Sequence, residues 1–100
     1  MIHIKRGVRL HGIMPEVVLA IVVAGQVYDQ LEKELVVTSV LDGKHMRASI
    51  HYIGGAVDLG LPGEHGIAAR NRIARRLGGD FDVILESNHI HVEWQPKREY

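Results

Sequence analysis

A single apolar stripe governs what this chain can fold into. Val17, Ala20, Ile21, Ala24, Val27, Tyr28, Leu31 and Leu35 recur at helical spacing, which predicts a helix over about 15–34 with one continuous hydrophobic face. Pro15 suits its first turn, where the missing N–H has no helical partner to lose. Val18, Leu19, Val22 and Val23 make the first half apolar all round. That half is either enclosed by the domain or covers a partner. One hundred residues hold one core and not two, so residues 1–100 are read as a single domain.

The period changes after the helix. Leu35-Val36-Val37-Thr38-Ser39-Val40 is rich in β-branched residues and runs into Asp42-Gly43, which reads as a strand and a turn. Gly54-Gly55 breaks the chain again, and Ala56-Val57-Asp58-Leu59 is a short strand ending near Pro62-Gly63. A second helix is expected over about 64–77, with Ala69, Ile73 and Leu77 on its inner edge and Gly78-Gly79 as its stop. Two strands close the chain, Phe81 to Leu85 and His89 to Trp94, joined by Glu86-Ser87-Asn88. The expected class is α+β: an antiparallel sheet packed against one long N-terminal helix and one shorter helix.

Twelve Lys plus Arg balance twelve Asp plus Glu. Zero net charge removes the long-range attraction on which nucleic-acid binders and polybasic membrane anchors depend, leaving only local patches. Arg70, Arg72, Arg75 and Arg76 form one such patch, read as a solvated helix face with cations near its C-terminus. The run Val17 to Ala24 is less than half of the roughly 20 residues that cross a bilayer. Lys5, Arg6 and Arg9 ahead of this run resemble a secretory leader, but Pro15-Glu16 interrupts the approach and the helical pattern continues past any cleavage point. Neither a membrane span nor a nucleic-acid partner is expected.

The chain has no Cys and seven His. Disulfides, thiolate zinc sites and thiol nucleophiles are therefore excluded, and imidazole is the one nitrogen or sulfur ligand available to a transition metal. Along the last strand His89, His91 and Glu93 share one face while Ile90, Val92 and Trp94 share the other, which is core. His51 and Asp58 bracket Gly54-Gly55, whose glycines permit a tight reversal that brings both ends of the segment to one point. Two imidazoles and a carboxylate, with a fourth position left open, are the donor set of catalytic zinc. His51, Asp58 and one His of the last strand satisfy it.

Ser49-Ile50-His51-Tyr52-Ile53-Gly54-Gly55-Ala56-Val57-Asp58 fits the pattern S-x-H-x-x-G-x-A-x-D, and His89-Ile90-His91 supplies a following H-x-H. In these residues the chain resembles the D-alanyl-D-alanine metallopeptidases, whose superfamily includes the lysostaphin-type endopeptidases and the hedgehog signalling domain. The resemblance runs from about Val36 to Trp94, and the compact Asp42-Gly43-Lys44-His45-Met46 looks most like small phage-type members. It implies Zn²⁺ held by His51, Asp58 and His91, with Glu86 as general base and His89 as an auxiliary proton carrier or oxyanion stabiliser. In another branch of the family a Glu stands three residues before the ligand, as Glu86 does before His89. His89 is then the ligand.

The chain departs from the family where many relatives carry a substrate-binding Arg soon after the strand that precedes the motif. Thr38-Ser39-Val40-Leu41 has none, so Arg47, with Lys44 or His45 as alternatives, is expected to anchor the substrate's charge. The implied activity is hydrolysis of an amide bond in a peptidoglycan stem peptide, by a protein held in the cytoplasm until release or carried on a virion. The alternative is a metal-binding or wall-binding module of the same fold without turnover.

Overall fold

The computed structural model describes residues 1–41, 44–45, 52–53 and 55–96, with backbone alone at 44–45 and 52–53. The chain forms β1 (Ile2–Ile4), α1 (Pro15–Gln30), β2 (Leu35–Leu41), β3 (Lys44–His45), β4 (Tyr52–Ile53), β5 (Ala56–Gly60), a 3-10 turn over Gly63–His65, α2 (Gly66–Leu77), β6 (Phe81–Leu85) and β7 (His89–Trp94). Five strands make one sheet in the order β1-β2-β5-β7-β6, and β3 pairs with β4 separately. The class is α+β, as expected. The sheet is mixed and not purely antiparallel, because β1 joins β2 in parallel. Three exposed residues give no alternation from which such a strand can be read.

Both helices lie on one face of the sheet. Val17, Ala20, Ala24, Val27 and Tyr28 of α1 and Ala69 and Ile73 of α2 close over Leu35, Val37, Val57, Leu59, Ile90 and Val92, all at most 2% exposed. Tyr28 is fully buried, and its hydroxyl donates to the Gly60 carbonyl at 2.6 Å. Burial disfavours its phenolate and pushes the hydroxyl pKa far up. Gly25 is the contact point for β1, since a Cβ there would stand 2.6 Å from Ile2 Cδ1. The all-apolar half of α1 is not enclosed by the described residues. Val23 is buried, whereas Val18, Leu19 and Val22 are exposed.

Helix α1 ends at Gln30 and not near residue 34. Glu32 turns into the left-handed region at φ 57°, and the Lys33 amide closes back on the Tyr28 carbonyl at 2.9 Å, a wrap that terminates a helix. The two helices, of 16 and 12 residues, are therefore closer in length than their sequence patterns predict. Gly78, at φ 87°, ends α2 as expected. Gly55 has another use. Its φ is not in the positive region, and a Cβ would meet Val17 Cγ2 at 2.8 Å and the Leu41 carbonyl oxygen at 3.2 Å. Close packing of β5 under the start of α1 is what requires glycine there.

Candidate metal centre

The centre lies on the sheet face away from the helices. Pairing of β5 with β7 sets Asp58 opposite His91 and Gly60 opposite His89, while Val57 and Leu59 turn into the core with Val92 and Ile90. On the far side of β5, Ser39 is the partner of Asp58. A bulge between Val37 and Ser39 sets that register, and the Thr38 hydroxyl donates to the Asp58 carbonyl at 3.2 Å. Bulges re-aim side chains in this way beside functional sites. Asp58 is thereby fixed by strands on both sides.

Asp58, His89 and His91 could hold a metal ion, since one donor atom from each lies within 4.8 Å of the others. Asp58 Oδ1 is 2.6 Å from His91 Nδ1 and 3.7 Å from His89 Nε2. The three side chains are 22–29% exposed, so the cluster is partly open to solvent. The other His89 nitrogen, Nδ1, is 2.6 Å from the Asn88 side-chain oxygen, so the turn before β7 orients that ring. The other His91 nitrogen, Nε2, is 3.2 Å from Glu93 Oε1. Glu93 is held in turn by the Gln95 amide, which donates to its second oxygen.

His91 thus stands between two carboxylates. Partial burial of the ring pulls its pKa down, and the hydrogen bonds to Asp58 and Glu93 more than offset this, leaving it above the ordinary histidine value. A place that favours an imidazolium favours positive charge, and a divalent cation answers the same field. The donor chemistry fits such an ion: two neutral imidazoles, a carboxylate, and Glu93 as the outer partner that fixes a ligand histidine's tautomer and orientation.

Of the residues expected from the sequence, Asp58 and His91 are brought together. His89 lies with them, close enough to serve as a third donor. His51 and Arg47 lie outside the described residues, as do Ser49 and the side chains of Lys44 and His45. Glu86 is in the β6–β7 turn, exposed, with its amide donating to the His89 carbonyl at 2.9 Å. Its carboxylate makes no hydrogen bond or ion pair among the described residues. Glu93 received no role from the sequence, although its place on the face of His89 and His91 is legible there. The signal is the alternation itself, which sets Glu93 on the face of both histidines.

The arginine patch of α2 is partly engaged. Arg70 Nε donates to the Val83 carbonyl at 2.9 Å, and Arg76 donates to the Gln26 side chain. Among the described residues no helix is long and apolar enough to cross a membrane. No family profile, curated protein or solved structure matches the chain.

Proposed function

We propose that the protein is a zinc-dependent peptidase that hydrolyses an amide bond in a peptidoglycan stem peptide. The observation that carries the reading is the convergence of Asp58, His89 and His91 on the solvent-facing side of the two central strands. When bound at such a site, Zn²⁺ polarises a carbonyl and lowers the pKa of water toward about 7. The chain's own residues do the rest. Asp58, His89 and His91 hold the ion, and Glu93 keeps the His91 ring in one orientation. Glu86 accepts the proton of the attacking water and returns it to the departing amine as the C–N bond breaks. His51 completes the donor set in the resemblance, with His89 then free to move a proton. Arg47 or Lys44 supplies a cation for the substrate.

The exposure of Glu86, whose carboxylate makes no hydrogen bond or ion pair with the cluster, favours one second reading: a metal-binding or wall-binding module without turnover. Digestion of purified muropeptides by the zinc-loaded protein, read by mass spectrometry, decides between them. Loss of a defined amino acid or peptide supports the peptidase and names the bond. Intact muropeptides with zinc still bound support the module.

A further inference from the structure

β1 accompanies β2 only from Leu35 to Val37. Once the Lys5 amide has donated to the Val37 carbonyl at 2.9 Å, the chain turns away, with the Val8 amide closing on the Lys5 carbonyl at 3.0 Å. Gly7 makes that turn at φ 91°, in the region that favours glycine. From Thr38 onward no strand lies beside the outer edge of β2 among the described residues. A cavity of about 510 Å³ occupies the gap, with Gly7, Val8, Arg9 and His11 on one side and Thr38 to Val40 on the other. That volume is in the range that takes a small ligand.

The two walls differ in chemistry. One is a strand edge with no partner strand among the described residues, and such an edge accepts an extended peptide as an additional strand through main-chain hydrogen bonds. The other offers the Arg9 guanidinium, which is exposed and makes no ion pair among the described residues, together with the His11 imidazole. Among the described residues no carboxylate lines the cavity to neutralise them. Ser39 belongs to the cavity and is also the cross-strand partner of Asp58, roughly 5 Å away between Cα atoms, so β2 alone separates the cavity from the strand that carries Asp58.

We propose that this cavity binds an extended peptide segment bearing a carboxylate, with its backbone along Thr38 to Val40 and its carboxylate paired with Arg9. The rest of the peptide reaches the Asp58–His89–His91 centre by crossing the face of β2 at Ser39. Arg meets a carboxylate with a bidentate fork, which fixes direction as well as charge. As an account of the substrate this rests on the peptidase reading, but the binding step itself needs no metal.

The test titrates three blocked tripeptides into chelator-treated protein and follows backbone amide shifts by NMR. The probes are acetyl-Ala-Glu-Ala-amide, acetyl-Ala-Gln-Ala with a free C-terminal carboxylate, and the neutral acetyl-Ala-Gln-Ala-amide. At least one charged probe is expected to bind roughly tenfold or more tightly than the neutral one, with shifts at Thr38 to Val40. Which charged probe wins tells a side-chain carboxylate from a terminal one. Arg9→Gln is expected to erase the preference and Arg9→Lys to keep part of it, and because Arg9 is exposed both variants retain the fold. Equal binding of all three probes, or shifts confined to other strands, would overturn the proposal. Cleavage of muropeptides with a KM unmoved by Arg9→Gln also overturns it while the peptidase reading survives. Selective peptide binding at β2 with no cleavage by zinc-loaded protein leaves the cavity standing and removes the peptidase.

Discussion

Asp58 and His91 are direct cross-strand partners on β5 and β7, with a carboxylate oxygen and Nδ1 only 2.6 Å apart. Register alone makes this pair. A slip of one residue in either strand would send its member of the pair into the core and bring Val57 or Val92 to the surface, so the apolar packing that fixes the register also fixes the site.

Metal binding is expected at one ion per chain, through Asp58, His89 and His91. Asp58→Ala and His91→Ala should each weaken zinc binding by more than the 10- to 100-fold typical of losing an outer partner. Competition against a chromogenic chelator measures this. Full affinity in both variants would remove the centre from this face of the sheet.

Glu93 is expected to act through His91. Glu93→Gln keeps the shape and removes the charge that holds the ring, so zinc affinity should fall by roughly 10–100-fold while the fold is retained. An unchanged dissociation constant, with an unchanged circular dichroism spectrum, would show that Glu93 merely covers the site.

The metal-free protein is expected to lose stability as the solution turns alkaline. His91 has a folded-state pKa above its ordinary value, so its contribution is fully present below the unfolded value of about 6.5 and is lost as pH rises through the folded pKa. Urea unfolding of chelator-treated protein across pH 5.5 to 8.5 reads this change, and His91→Gln should flatten it. An increase in stability over this window that His91→Gln abolishes would contradict the sign.

Gly55→Ala is expected to destabilise the fold by about 1–3 kcal/mol, as overpacking does. The new methyl meets Val17 and the Leu41 carbonyl, and a backbone atom cannot give way as a side-chain tip can. A shift in the urea midpoint at constant slope checks this. A neutral result would mean that α1 can lift off β5.

Tyr28→Phe removes the hydroxyl that serves the Gly60 carbonyl. The loss should be about 1 kcal/mol, the net value of a typical hydrogen bond, since the Gly60 acceptor is only half-buried. Gly60 pairs with His89 in the ladder, so a weaker zinc affinity in this variant would show that the core helps place that ligand.

Much of this was legible in the sequence where periodicity is strong. The stripe of α1 and the alternation in β7 each specify an element and a buried face. Leu35 shows why the end of α1 was not legible: it continues the helical stripe and also begins β2, and the turn between depends on Glu32 adopting a conformation that its side chain does not advertise. The bulge at Thr38 and the parallel pairing of β1 depend on contacts distant in the chain. At the site, the shared face of His89, His91 and Glu93 follows from alternation, whereas the partnership with Asp58 needs the strand order. No spacing within one segment encodes it.

The strand order also sets when the centre can exist. Asp58 and His91 are 33 positions apart, and α2 and β6 lie between them in the chain, so β5 and β7 meet only after that excursion has folded back. Long-range pairing of this kind is slow, because loop closure has to precede the contacts that reward it. The unfolded chain therefore presents scattered donors and no site, and a cation that binds only the native state adds stability by mass action, about 2.7 kcal/mol at a hundred times its dissociation constant. The centre becomes a gauge of complete folding: occupancy should appear with the last kinetic phase of refolding and not before it.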